Sequence, residues 1–201
     1  MSLAFADRKA TQALNFLARQ SGGRINKLKA LKLVFFADRF HLRKYGRSVT
    51  NDRYFAMPYG GVPSGAKDIA EMSEFLGQPE RVYAERFLRP CAADPHAFES
   101  IAEPDLAVFS ESDVEALRFA WKVFGRYDGF QLADLTHLYP EWKRHEAAIE
   151  SGETSRVPMS YDDFLEDPAE GVEPCFALDA GAREERREVM AEVRAFERRW
   201  N

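Results

Sequence analysis

At 201 residues with 45% hydrophobic content, the chain can bury one sizeable core but is short for two ordinary domains, and its composition argues against disorder. A net charge of -5 disfavours a protein that grips nucleic acid by broad phosphate neutralisation. The longest apolar run, Leu31 to Ala37 and broken by Lys32, is far below the roughly 20 residues that span a bilayer, and Met1 to Ala10 carry no secretory pattern, so a cytoplasmic protein without membrane contact is expected.

In chain order, Asp7 is placed to cap a first helix with Ala10, Ala13, Leu14 and Leu17 on one face, and Ser21-Gly22-Gly23 stops it. A second helix starts after Asn26 and runs through Leu28, Leu31, Leu33, Val34, Phe35, Phe36, Ala37, Phe40 and Leu42 to a left-handed cap at Gly46. Its middle is apolar nearly all round, which predicts a central helix. The remaining cations, Arg24, Lys27, Lys29, Lys32, Arg39, Arg43 and Lys44, are expected to form an exposed basic face. Such a face is open to an acidic partner, to plain solvation or, less consistently with the aromatic pattern, to nucleic acid.

Tyr54 to Tyr59 is aromatic and carries Pro58, so an edge strand is expected, ended by Gly60-Gly61. Ser64 then caps a helix reaching Phe75 and Leu76, closed by Gly77 and Pro79. Arg81 to Leu88 reads as a second strand and Ala107 to Phe109 as a short third one, with Pro90 to Pro104 as surface loop. Ser110 to Asp113 is a capping box before Val114, Leu117, Trp121 and Phe124. Short helices are expected at Gln131 to His137 and Pro140 to Ile149, and Ser160 to Asp163 repeats the box before Phe164.

Glu166 to Pro174 has the acidic, proline-bearing composition of a linker, and beyond it Arg183 to Trp200 forms a helix with Val189, Val193, Phe196 and Trp200 on one stripe. The fold class expected is mainly α with some β: a multi-helix domain around a central apolar helix with a small antiparallel sheet, plus an amphipathic C-terminal helix. The division is 1–165 for the domain and 166–201 for linker and helix, the stripe docking on the same domain or serving as a binding surface.

Chemistry-bearing patterns are sparse. Cys91 and Cys175 make neither a disulfide framework nor a ligand pair, and the four histidines have no zinc spacing, so no metal and no cofactor is expected. Asp38, His41 and Tyr45 share a side of the central helix and could relay a proton, but a self-satisfying polar cluster is the plainer reading. His137 and Glu141 across the break at Pro140 are read as structural in the same way. Gly60 to Ser64 lacks the Gly-Lys-Ser/Thr of a phosphate loop. No catalytic residue is assigned, and the chain is read as a non-enzyme.

Three blocks in order resemble the SocA-like Panacea domain of toxin–antitoxin and phage-associated proteins. They are Lys27 to Asp38 continuing through His41-Leu42 and Tyr45-Gly46-Arg47; Ala56 to Ser64; and Leu132 to Thr136-His137 with Pro140-Glu141-Trp142. The matching positions are Leu28, Leu31, Phe36, Ala37, Asp38, His41, Tyr45, Gly46, Tyr59, Gly60, Val62, Pro63, Thr136, His137 and Trp142. Gly61 departs from the family, which usually has proline there, so a looser turn is expected.

The resemblance implies a mostly helical antitoxin of a type II-like system that neutralises a cognate protein toxin by stoichiometric binding. Its alternatives are an adaptor that delivers the toxin to an AAA+ protease, a DNA-binding autoregulator, or an enzyme of undefined chemistry. Inhibition by binding needs a preformed surface of about 800 Å² per partner with aromatic or arginine anchors. Tyr54, Phe55 and Tyr59 with Lys29, Lys32, Arg39 and Arg43 are the candidate partner-binding residues.

Overall fold

The computed structural model describes residues 5–168 and 176–200, without the side chains of residues 194 and 197–200. The first helix, α1 (Asp7–Gln20), begins at the expected place, but Ala6 precedes it and Asp7 lies in its first turn rather than capping it. A short strand β1 (Arg24–Asn26) leads into α2 (Lys27–Tyr45). Asn26 caps α2 by accepting from the Lys29 backbone N–H, and Gly46 ends it at φ 71. A side chain on Gly46 would also collide with Val189, so the position excludes one twice over.

Strands β2 (Tyr54–Met57) and β3 (Gly60–Pro63) form a hairpin across Pro58-Tyr59, with Phe55 opposite Val62 and Met57 opposite Gly60. Helices α3 (Ser64–Glu71) and α4 (Gln78–Ala84) follow, then β4 (Leu88–Pro90) and β5 (Ala97–Ser100). Beyond them come α5 (Glu111–Phe124), α6 (Gly129–His137), α7 (Pro140–Lys143), α8 (Glu146–Glu150), the two-residue strand β6 (Val157–Pro158) and α9 (Ala180–Trp200). Among the described residues these strands form two three-stranded antiparallel sheets, ordered β1-β5-β4 and β3-β2-β6.

Several expectations are corrected. Tyr54–Met57 is the central strand of its sheet, because Pro58 falls just past the last paired residue and blocks no ladder bond. Arg81 to Ala84 is helical: Pro79 at the first turn fixes a helical start, and Tyr83 accepts from Gln12 of α1. The strand partner of Leu88–Pro90 is Ala97–Ser100, inside the stretch read as loop. Ala107 lies in a 3-10 turn capped by Asp105, not in a strand. Helix α3 stops at Glu71 because Met72 takes a left-handed φ of 49, leaving Phe75 outside it and 81% exposed. Its N–H groups at Gly65 and Ala66 are capped from a distance by the Asp52 carboxylate, at 2.7 Å each, not by Ser64.

The core forms around α2, whose residues Ala30 to Arg39 are all buried, as a helix apolar on every face requires. Phe36 stacks on Phe124 of α5 at 4.0 Å between centroids. Phe176 completes the aromatic group, with its ring 6.0 Å from Phe124, 5.7 Å from Phe119 and 5.7 Å from Tyr139. Helix α9 then lies near the end of α2, with Val189 against Gly46 and Met190 buried. Phe196 is 65% exposed, and the Trp200 side chain and Cys175 lie outside the described residues.

Phe176 is 2% exposed although it lies in the C-terminal segment. Phe176→Ala should therefore lower the unfolding free energy by about 3–5 kcal/mol, read as a shift of the denaturant midpoint at constant slope. An unchanged midpoint would show that the core closes without this ring.

Candidate functional site

Lys32, Arg39 and Arg43 fall at i, i+7 and i+11 on α2 and so share a face. That face is covered by α6, α7, the β2–β3 hairpin, residues 163–168 and Phe176. The three cations are buried at 0%, 0% and 3% exposure, which overturns the reading of an exposed basic face at these three positions. Their N–H groups donate instead to backbone carbonyls: Lys32 to Gly61 at 2.8 Å, Arg39 to Glu166 at 3.2 Å, and Arg43 to Phe164, Phe176 and Glu166 at 3.1, 2.6 and 3.1 Å. Arg39 also pairs with Glu141, fully buried on both sides, and Arg43 with Asp167. Of the rest of the expected basic face, Arg24 is exposed, Lys27 and Lys29 are half-buried at the start of α2, and Lys44 is exposed and bound to Glu115.

Burial lowers the Lys32 ammonium to a pKa of about 7, and no carboxylate offsets it. Glu141 is pushed up by the same desolvation, against the pull of Arg39. Above Lys32 sits Gly60 at φ 85, where a side chain would collide with Thr136 Oγ1. His137 stacks on Trp142 at 3.8 Å, and the Trp142 indole N–H donates to the Met57 carbonyl at 2.9 Å. Thus Tyr59-Gly60, Thr136, His137 and Trp142, distant in sequence, meet at the hairpin. Gly61 does not loosen the turn, whose register is intact and where the Phe35 ring leaves no room for a side chain.

The remaining motif residues do other work. Asp38 accepts from the Val49 and Thr50 backbone N–H groups, the Thr50 hydroxyl and the Tyr54 hydroxyl, and so holds the loop between α2 and β2. Burial raises its pKa to about 6 against these four donors. His41 bonds the Arg47 carbonyl and Ser112, and burial brings its pKa down to about 4. Tyr45 donates to Glu115. The His41 and Tyr45 rings pack 4.8 Å apart, but Asp38, His41 and Tyr45 hydrogen-bond to three different sets of partners and not to one another. His137 and Glu141 likewise make no mutual bond, each turning to its own partner. Among the described residues, no group of three or more His, Cys, Asp or Glu side chains could hold a metal ion, and no helix is long and apolar enough to cross a membrane.

Of the aromatic edge, Tyr54 is buried and committed to Asp38, and Phe55 is half-buried with Arg156 3.5 Å above its ring. Tyr59 stands at the hairpin tip, 61% exposed, with its ring 5.9 Å from that of Phe130, itself 64% exposed. Phe130 was not singled out from the sequence, although one signal was present: it falls outside the stripe of Leu132, Ala133 and Thr136 that α6 buries. The two rings, held on a hairpin and a helix start that both pack on the buried α2, form an exposed apolar patch on fixed supports.

The family described as Antitoxin SocA-like, Panacea domain matches residues 31–143, more than half of the chain. The chain belongs to that family. No curated protein and no solved structure matches it. The matched stretch of the Panacea domain runs from α2 to the end of α7 and so includes the hairpin, Tyr59 and Phe130. Lys32, Arg39, Arg43, Asp38 and Trp142 all lie within it, whereas Phe176 and α9 lie beyond.

Two outcomes follow from the buried charges of the Panacea domain. Between pH 7 and pH 10 the unfolded chain binds the Lys32 proton more tightly than the folded one, so this group's contribution to stability rises with pH across that window by up to about 1.4 kcal/mol per unit and is constant below it. Lys32→Met removes that slope, so the stability difference between variant and parent shrinks as pH rises, measured by denaturant titration at each pH. Glu141→Ala leaves Arg39 buried without a carboxylate and should cost about 3–5 kcal/mol, whereas Arg39→Met with Glu141→Leu should recover most of the loss. Failure of the double variant to recover would mean that the pair does more than fill space and satisfy charge.

Proposed function

We propose that the protein is the antitoxin of a type II-like pair and silences a cognate protein toxin by occupying it in a stoichiometric complex. The observation that carries this reading is the exposed Tyr59–Phe130 pair, set on the family-matched hairpin and α6. Large rings displayed on a rigid scaffold lose little conformational entropy when covered, which is why such residues dominate binding energies. Binding through a fixed surface asks for no reacting group, and the polar clusters within the Panacea domain are engaged in holding its own chain. Lys32, Arg39, Arg43 and Tyr54 then act on the partner only indirectly, by fixing the hairpin and the segments around it.

The test is co-expression with products encoded beside this gene, one of which should arrest growth alone and be harmless in the pair. Tyr59→Ala and Phe130→Ala should each weaken the purified complex by about 30-fold, corresponding to about 2 kcal/mol, with the melting temperature little changed because both rings are exposed. Unaltered affinity in both variants would place the interface elsewhere. Protection that vanishes in a host lacking its AAA+ proteases would replace neutralisation by delivery.

A further inference from the structure

The geometry points to an acidic protein segment with an apolar side chain as the partner element that docks where α2 begins and α5 ends. This rests on the antitoxin reading of the Tyr59–Phe130 face and extends it to the partner's chemistry. The face is continuous. Phe130 follows Gly129, which lies so close to the start of α2 that a Cβ there would stand 3.1 Å from the Lys29 backbone nitrogen and 3.2 Å from Leu28. Lys29 in turn places its ammonium 2.6 Å from the Gly125 carbonyl at the end of α5 and 5.5 Å over the Trp121 ring. Arg126 comes next, and Lys122 is exposed one turn earlier.

Charge decides the occupant. Elsewhere Lys9, Lys44, Lys67 and Lys143 pair with Asp113, Glu115, Glu71 and Glu146, while Lys27 and Lys32 donate to the Pro95 and Gly61 carbonyls. Among the described residues, Lys29, Lys122 and Arg126 have no carboxylate oxygen within 4.0 Å. The one acid in their midst, Asp128, accepts from the backbone N–H groups of Phe130 and Gln131 at 2.9 Å each and caps α6. In a protein of net charge -5, this corner therefore presents Lys122 and Arg126 without an ion-pair partner, and Lys29 with Asp128 only beyond 4.0 Å, beside an aromatic pair. A nucleic acid strand would have to carry its continuous phosphates past Asp128 and the exposed Asp134 on α6. An acidic protein segment can space its carboxylates away from Asp128 and Asp134, setting them on the cations and an apolar side chain against the packed Tyr59 and Phe130 rings. Its approach is also accelerated by the unpaired charge.

The experiment uses the full-length protein and fluorescence anisotropy with a short labelled peptide rich in glutamate around a central phenylalanine. Three other probes accompany it: the same peptide with lysine for glutamate, the same peptide with serine for phenylalanine, and a thymidine oligonucleotide. The glutamate–phenylalanine peptide should bind, and its affinity should fall by about ten-fold between about 0.1 M and 0.5 M salt and by about as much again in Lys122→Glu/Arg126→Glu. Lys122→Gln/Arg126→Gln should give an intermediate loss and guards against misfolding of the reversed variant, melting temperatures being recorded for both. Absence of binding to the unaltered protein, equal binding by the lysine peptide, indifference to both double variants, or displacement of the peptide by the oligonucleotide each overturns the inference. Co-expression separates the two readings. Full neutralisation of a toxin with unchanged affinity by the charge-reversed variant removes the acidic segment and leaves the antitoxin. A lack of any lethal neighbour removes the antitoxin, while the peptide still tests the face.

Discussion

A cation withdrawn from water must be given acceptors, and α2 withdraws three of them on one face. Lys32, Arg39 and Arg43 meet that requirement chiefly with main-chain carbonyls from the hairpin and from Phe164, Glu166 and Phe176. Carbonyls belong to the chain path rather than to any one residue type, so these bonds fix where the backbone runs. The hairpin is seated over Lys32 through Gly61, and the segment after α8 is seated over Arg39 and Arg43. Phe176 is thereby carried into the space between Phe36, Phe119 and Tyr139, and the Arg39 guanidinium lies 4.2 Å over the Tyr139 ring. Charge and aromatic packing at this place are one arrangement.

The same constraint prepares the outer surface. Asp38 holds the loop after α2 by four hydrogen bonds, Trp142 holds the hairpin through the Met57 carbonyl, and Gly60 allows α6 to approach. Tyr59 and Phe130 are left at the edge of this assembly with rigid supports beneath them. Of the polar residues that resemble a catalytic relay when read along α2, Asp38 is one of these supports, and the residues proposed to meet a partner stand one layer out. Features of the Panacea domain that look chemical in one dimension are thus architectural in three.

Signals that act within a few residues are legible in the chain itself. The Asn26 and Gly46 ends of α2, the Ser110–Asp113 capping box and the position of α6 follow from hydrogen bonds within a few residues, and the structure has each of them. The central position of α2 was legible because a helix apolar on all sides has only one stable place. The segment Arg81 to Leu88 was misread because its β-branched and aromatic residues suit either state, and contact with α1 selects helix for its first part. Strand β5 has no strong pattern of its own and exists through its pairing with β1 and β4. Lysine and arginine on α2 were placed in water by composition, since nothing in their own helix says what will cover them.

By itself, then, the sequence determined a helical domain built round α2, its caps, and its place in the Panacea family, because these rest on periodicity, short-range hydrogen bonding and an ordered set of motifs. Only the tertiary structure decided that Lys32, Arg39 and Arg43 are inside, that Asp52 caps α3 from another element, and that Phe130 joins Tyr59 on the surface. The reason is physical: burial and pairing are properties of what packs against a residue, and the packing partners here come from segments up to a hundred or more positions away.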